Sequence, residues 1–357
     1  MSDNKLFQDF ERSDIQQWEK LVASELKGES IEKLDWNFAE RIPAKPYYSQ
    51  YQGGHSFAKD APWVIRQDFV VTNEKTANQS ALLALNGGVD AIGFELGQHV
   101  DLKVLLNDIL VEHIRLHLKA SSLQVLDEFQ TLLLERGISG SQVKGSFTLN
   151  SFETVGENCQ ALKPYLATFP QFSFFSISIQ EKTAEGLSEA LNKGVDYLDW
   201  LTENGFSIEQ AADKIQFHVK LETDFFKEIV ALKVLRQLWQ KILFAYGYGA
   251  LDKTYVVATN ANDDTDANMA MLKNTTRCMA AIVGGADEIN IQNYQADESK
   301  AQFLERIARN TQLILRHESK LDKVFDPSAG AYFVDAMVNE MATATWHQFL
   351  EKQSSIQ

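Results

Sequence analysis

Between residues 62 and 318 the chain repeats one unit eight times, a short strand-like run followed by a helical pattern. The runs are PWVIRQDFV (62–70), AIGFEL (91–96), HIRLHLKA (113–120), VKGSFTLN (143–150), FSFFSISI (172–179), IQFHVKLE (215–222), TYVVATNA (254–261) and EINIQN (288–293). Strand then helix, repeated, demands parallel strands with crossover helices. At about 32 residues per unit, the stretch matches the roughly 250 residues of a closed (β/α)8 barrel. An open doubly wound sheet would carry a glycine-rich phosphate loop after its first strand. The stretch VVTNEKTANQ there has no glycine. No GxGxxG, P-loop or nucleophile elbow occurs elsewhere. Gly284-Gly285 precedes a strand and reads as a tight helix-to-strand turn. The expected fold is α/β, a (β/α)8 TIM barrel with an N-terminal helix-plus-arm and a C-terminal helical tail.

The flanks divide the chain into an arm (1–55), the barrel (56–320) and a tail (321–357). Ser13 and Gln16 fit a capping box. Ile15, Trp18, Leu21, Val22 and Leu26 then share one helical face, and Lys27-Gly28 stops it. Pro43 and Pro46 favour extended chain after that. Such an arm cannot bury Trp36, Tyr47, Tyr48 and Tyr51 against itself. These four are candidate interface anchors, the alternative for each being packing on the chain's own barrel. The tail, DPSAGAYFVDAM onward, reads as a turn and a helix lying on the barrel or leading beyond it.

The 357 residues carry a net charge of -15, which disfavours nucleic acid and anionic membranes as partners. No apolar stretch is long enough to span a bilayer, and MSDNKLFQDFERSD lacks the features of a targeting peptide. Two cysteines without a CxxC fit a reducing compartment, so a cytoplasmic location is expected. His113 and His117, four apart, would pair as metal ligands on a helix. In HIRLHLKA they read instead as two partly exposed strand histidines, and no metal site is expected.

Several segments, in order along nearly the whole chain, resemble the methylmalonyl-CoA mutase family. They are WEKLVASELKG, KLDWN and KPYY, then PWVIRQ, then SIQEKTA with GVDYLDWL, then TDFFKEIVALKVLRQLW. TTRCMAAIVGGADEINI, DESKAQFLERIARNTQLIL and DPSAGAYFVDAM complete the set. The resemblance implies a barrel through which CoA threads and adenosylcobalamin-dependent interconversion of methylmalonyl-CoA and succinyl-CoA. It also implies a C-terminal cobalamin domain, toward which the tail would lead.

The catalytic chains of that family carry groups this sequence lacks. Where they have a tyrosine in RQY, this chain has Asp68; where a histidine polarises the thioester carbonyl, it has Ser178. Their histidine at the eighth strand falls in the Asp287-Glu288-Ile289-Asn290 stretch, with Asn290 at the strand end. The segment FTLNSFETVGENCQALKPYLATFPQ has no arginine to clamp a carboxylate, and no DxHxxG supplies a cobalt ligand. Asp68, Ser178 and Asn290 thus mark lost catalytic positions. The expectation is a small, catalytically silent subunit that binds no cofactor itself and pairs with a homologous large subunit carrying adenosylcobalamin. The isolated chain could form a homodimer. The alternative is an active acyl-CoA mutase barrel whose cobalamin domain comes from a separate chain. A third possibility is a barrel enzyme with new chemistry at the same strand ends.

Barrel activity sits at the C-terminal strand ends, here Asp68, Glu95, Lys119, Asn150, Ser178, Glu181, Lys220, Glu222, Asn260 and Asn290. The reading taken is a buried polar network in which Lys119 and Lys220 neutralise the acids. A Glu95–Glu222 acid/base pair is the rejected alternative. Arg306 and Arg309 read as helix-surface arginines rather than an anion site. Phe147, Phe172, Phe174, Phe175, Phe217 and Tyr255, half of them turned inward, predict a filled interior without an axial channel.

Overall fold

A computed structural model describes residues 14–39, 42–49, 62–149, 157–249, 252–260, 266–292 and 300–356. Helix α1 (Ile15–Glu25) starts one residue later than the expected box. Asp14 is its N-cap and Gln17 answers it, each side chain bonding the other's backbone N–H. Ser13 lies outside the described residues. The arm is not simply extended: β1 (Trp36–Ala39) and β2 (Ile42–Ala44) pair antiparallel.

The barrel follows in the expected order: β3 (Val64–Val70), α2 (Glu74–Asn86), β4 (Ala91–Glu95), α3 (Leu102–Leu105), β5 (Arg115–Ala120), α4 (Gln124–Glu135), β6 (Lys144–Leu149) and α5 (Glu157–Thr168). The fifth barrel strand breaks at Phe174 into β7 (Phe172–Ser173) and β8 (Phe175–Ile179). Then come α6 (Ala184–Glu203), α7 (Ile208–Asp213), β9 (Ile215–Leu221), α8 (Phe225–Ala245), β10 (Val256–Asn260), α9 (Ala267–Gly284), β11 (Glu288–Asn290) and α10 (Ala301–His317). Helix α11 (Tyr332–Ile356) forms the tail.

All nine barrel segments run parallel in the order β7-β6-β5-β4-β3-β11-β10-β9-β8. The two ends of that row are consecutive pieces of one stretch of chain, so the sheet closes into a (β/α)8 cylinder. Polar residues end the strand-to-helix loops and cap the next helix: Asn73, Thr183, Asp224 and Asp266 each accept from a first-turn N–H. The Ser207–Gln210 capping box forms as the sequence suggests. Gly285 ends α9 in the left-handed region, φ +90°, making the expected turn into β11.

Strand parity decides what this cylinder contains. The apolar alternates face the helices: Phe175 packs on Tyr197 with ring centroids 4.6 Å apart, and Phe217 on Trp239 at 5.0 Å. The opposite alternates, Arg66, Asp68, His117, Ser146, Ser176, Gln216, His218, Tyr255 and Glu288, reach one another across the inside. The expected aromatic filling is corrected for Phe147, Phe175 and Phe217, which are buried in the outer shell; Tyr255 turns inward, and the lumen is polar. An outer face sealed by helices needs apolar side chains, and the period of two then hands the polar ones to the inside.

The tail is fastened to the barrel. α11 packs on α6 and α8, with the Lys241 ammonium 3.9 Å from the Trp346 ring centroid. Ahead of it, the buried Lys233 ammonium contacts both Asp326 carboxylate oxygens, at 2.8 and 3.1 Å, and Ser328 Oγ at 2.7 Å. Phe333 at the start of α11 receives the arm: Trp36 stacks on it at 6.1 Å, and Phe38 and Tyr48 meet it edge-on at 5.8 Å.

Candidate functional site

At the C-terminal ends of the strands a polar cavity of about 470 Å³ opens, lined chiefly by β3 to β6, β8 and β9. Its floor is built around Glu288, which is wholly buried. Arg66 Nη1 donates to it at 2.9 Å and the Tyr255 hydroxyl at 2.7 Å, while His117 Nε2 stands 2.9 Å away and Arg115 Nε 3.7 Å. Burial opposes the Glu288 charge, but the Arg66 and Arg115 guanidiniums hold its carboxyl well below the usual range. Burial likewise opposes the Arg66 charge, and Asp68 and Glu288 more than offset it, holding the guanidinium above its ordinary value.

Asp68 sits over this floor. It takes Arg66 Nε at 2.5 Å and Nη2 at 3.0 Å, and the Asn290 amide at 2.8 Å. Gly93 makes room for it: a Cβ there would lie 1.9 Å from Asp68 Oδ1. Two of the three positions expected to have lost catalytic groups, Asp68 and Asn290, are thus joined in one hydrogen-bonded group. Ser178 stands apart from it on β8, its Oγ taking the Gln180 amide at 2.6 Å.

The histidines differ from expectation. His117 is buried rather than partly exposed, because its neighbours on β5 put the polar face inward; His113 precedes the strand and is exposed. Burial and the nearby Arg66 push the pKa of His117 down. The same causes bring His218 down to about 4. Gln216 Nε2 spans Ser176 Oγ at 2.8 Å and His218 Nε2 at 2.9 Å. Among the described residues no three or more His, Cys, Asp or Glu side chains gather as a metal site.

The rim differs too. Lys119 pairs with Glu95 at 3.0 Å, as expected, but both are half exposed. The buried cation at the mouth is Lys182 rather than Lys220: its ammonium lies 3.5 Å from Glu222 and 3.4 Å from Glu228, and it bonds the Lys220 carbonyl. Glu95 and Glu222 therefore each answer a lysine, not each other. Asn260 ties β10 to the β11 end, donating to the Gln292 carbonyl at 2.7 Å and accepting from its N–H at 2.8 Å. Asn150 lies outside the described residues, and Glu181 is exposed. Arg309 lies over Gly87 and reaches Gln67 at 3.4 Å, whereas Arg306 lies over Phe303.

Of the four aromatic anchors, Trp36 and Tyr48 pack on Phe333, and Tyr47 lies 5.1 Å from the Trp18 ring. Trp36 and Tyr47 remain about half exposed. Tyr51 lies outside the described residues. Sequence reasoning gave no role to Arg66 and Ser146, took Tyr255 only as an interior aromatic and Glu288 as a sequence landmark, and weighed His117 as a metal ligand or partly exposed strand histidine. The signal present was the strict alternation in RLHLKA, FSISI and IQFHVKL, whose polar members all fall on one parity.

Comparison with known proteins adds a lineage. The family model described as methylmalonyl-CoA mutase matches residues 80–354. The methylmalonyl-CoA mutase small subunit of Porphyromonas gingivalis is 28% identical over 98% of this chain and 64% of its own length. That of Streptomyces virginiae is 27% identical over 81% of this chain and 51% of its own. The methylmalonyl-CoA mutase of Cereibacter sphaeroides is 25% identical over 93% of this chain and 57% of its own. The chain thus spans about half to two-thirds of the length of these relatives.

Proposed function

The chain belongs to the methylmalonyl-CoA mutase family, and from that premise we propose that it is the barrel of a small, structural subunit. It pairs with a homologous catalytic large subunit and does not itself interconvert methylmalonyl-CoA and succinyl-CoA. The names of two relatives, both small subunits, support the pairing. The observation that carries the silent role is the state of Asp68. The position that needs an aromatic wedge holds a carboxylate locked between Arg66 and Asn290.

Adenosylcobalamin does not fit the groups present. The two described histidines of the barrel interior, His117 and His218, are engaged with Ser146 and Gln216. Ser178 offers a short hydroxyl where the carbonyl donor belongs. In this reading the cofactor resides in the large subunit, and the location is cytoplasmic. No described helix is long and apolar enough to cross a membrane. Among the described residues the active-barrel alternative finds no donor set to favour it.

Co-expression with a homologous large chain, followed by size analysis and an isomerisation assay, tests the reading. The expected result is a one-to-one complex whose activity resides in the large chain. The Trp36 and Tyr47 faces left exposed by the arm are the proposed contact, so removing residues 1–50 should abolish co-purification. Turnover of methylmalonyl-CoA by this chain alone with adenosylcobalamin would overturn the proposal.

A further inference from the structure

Three side chains of the lumen stand in a line that a structural subunit does not require. Ser146 on β6 and His117 on β5 are directly paired in register, and Ser146 Oγ lies 2.8 Å from His117 Nδ1. On the other side of the ring, His117 Nε2 lies 2.9 Å from Glu288 Oε1 across the barrel. We propose that these three form a serine–histidine–glutamate relay, and that the mouth cavity hydrolyses small carboxylic esters with Ser146 as nucleophile.

The arrangement meets the demands of acyl transfer one by one. A weak hydroxyl nucleophile needs a base within hydrogen-bond reach and a third group holding that base. The base must be unprotonated, and burial together with Arg66 keeps the His117 ring neutral. The acid must be ionised and fixed, and Glu288 is anchored by Arg66 and the Tyr255 hydroxyl. The His117–Glu288 contact is bent away from a straight hydrogen bond, a looseness common in ligand-free sites. The imidazole turns Nδ1 to the serine and Nε2 to the acid; either nitrogen serves as base once the other is held.

Backbone geometry brings the pair together. Gly145, just before Ser146, has φ +147°, and a Cβ there would lie 1.8 Å from the Leu116 carbonyl oxygen. Only glycine lets β6 approach β5 that closely, directly beside the Ser146–His117 contact. Ser146 and His117 both line the 470 Å³ cavity, together with Thr148, Ser176, Ser178 and Lys119. Those hydroxyls and that ammonium are the donors available to an oxyanion.

In the first step Ser146 Oγ bonds to the ester carbonyl carbon while its proton passes to His117. The carbonyl electron pair moves onto oxygen. Collapse breaks the carbon–leaving-group bond, and the departing alkoxide takes the proton from His117. Water then attacks the acyl-serine with His117 again as base, releasing the acid and restoring Ser146.

The test uses the full-length chain alone, so it is independent of any partner or cobalamin. Diisopropyl fluorophosphate should add to Ser146, located by peptide mass spectrometry, and p-nitrophenyl acetate should be hydrolysed. Ser146→Ala and His117→Gln should each lower that rate roughly 100-fold or more, while the remote, exposed Ser354→Ala leaves it unchanged. If a variant fails to fold, the site of labelling in the unaltered chain still decides. Absent labelling, labelling elsewhere, or a Ser146→Ala rate equal to the unaltered chain would overturn the proposal.

Discussion

Glu288 is the side chain on which the lumen depends. It has no solvent contact, and its charge is matched by Arg66 on the adjacent β3 and by Arg115 on β5 across the lumen. Glu288→Gln leaves those guanidiniums facing a neutral amide. Breaking a buried pair from one side costs roughly 3–5 kcal/mol, so chemical denaturation should show a loss of that order. His218 sets a pH window. Its pKa in the fold is about 4 against an ordinary 6.5, so between those values the unfolded chain binds a proton that the folded chain refuses. Its contribution is complete above about pH 6.5 and is lost as pH falls toward 4, on the order of 2–3 kcal/mol. In His218→Asn the stability-against-pH curve should flatten across that window. Gly93 and Asp68 are coupled sterically. Gly93→Ala should cost roughly 1–3 kcal/mol, much of it regained in the double variant with Asp68→Ala. These residues were only partly legible beforehand. Asp68 and Asn290 could be placed at strand ends from the sequence, but their shared bond joins residues 222 apart in the chain. Nothing local announces such a contact.

At the scale of elements, strand existence and order were readable because each apolar run is flanked by turn and cap residues. Parity was not resolved: alternation turns half of the six wall aromatics inward without saying which, and Phe147, Phe175 and Phe217 fall in the outer shell while Tyr255 faces the bore. The split of the fifth strand at Phe174 was also hidden, since FSFFSISI looks continuous. The arm was read as extended because its prolines are visible, whereas the β1–β2 pairing depends on a surface that the tail helix supplies. That dependence can be measured. Phe333→Ala removes the ring that Trp36, Phe38 and Tyr48 all meet. A loss of about 2 kcal/mol should lower the thermal midpoint, and trypsin should cut faster at Lys27 and Lys33.

Across the whole molecule, arm, barrel and tail meet at one flank, where Phe333 stands in the first turn of α11 and Asp326, just ahead of that helix, is held by Lys233 of α8. Lys233→Met strands the Asp326 carboxylate in the interior. A cost of roughly 3–5 kcal/mol is expected, with hydrogen exchange accelerated in α11 well before the barrel strands. The family resemblance was legible in runs such as TDFFKEIVALKVLRQLW, which falls largely in α8, and TTRCMAAIVGG, which ends α9. The lumen, by contrast, holds Asp68, Ser178 and Asn290, the positions proposed above to depart from that family. The alternation of the strands explains how both can hold at once. Side chains that prop the wall against its helices and side chains that furnish the bore occupy separate, interleaved positions. A lineage can therefore refurnish the bore, discarding one reaction or admitting another, without touching the masonry that keeps the cylinder standing.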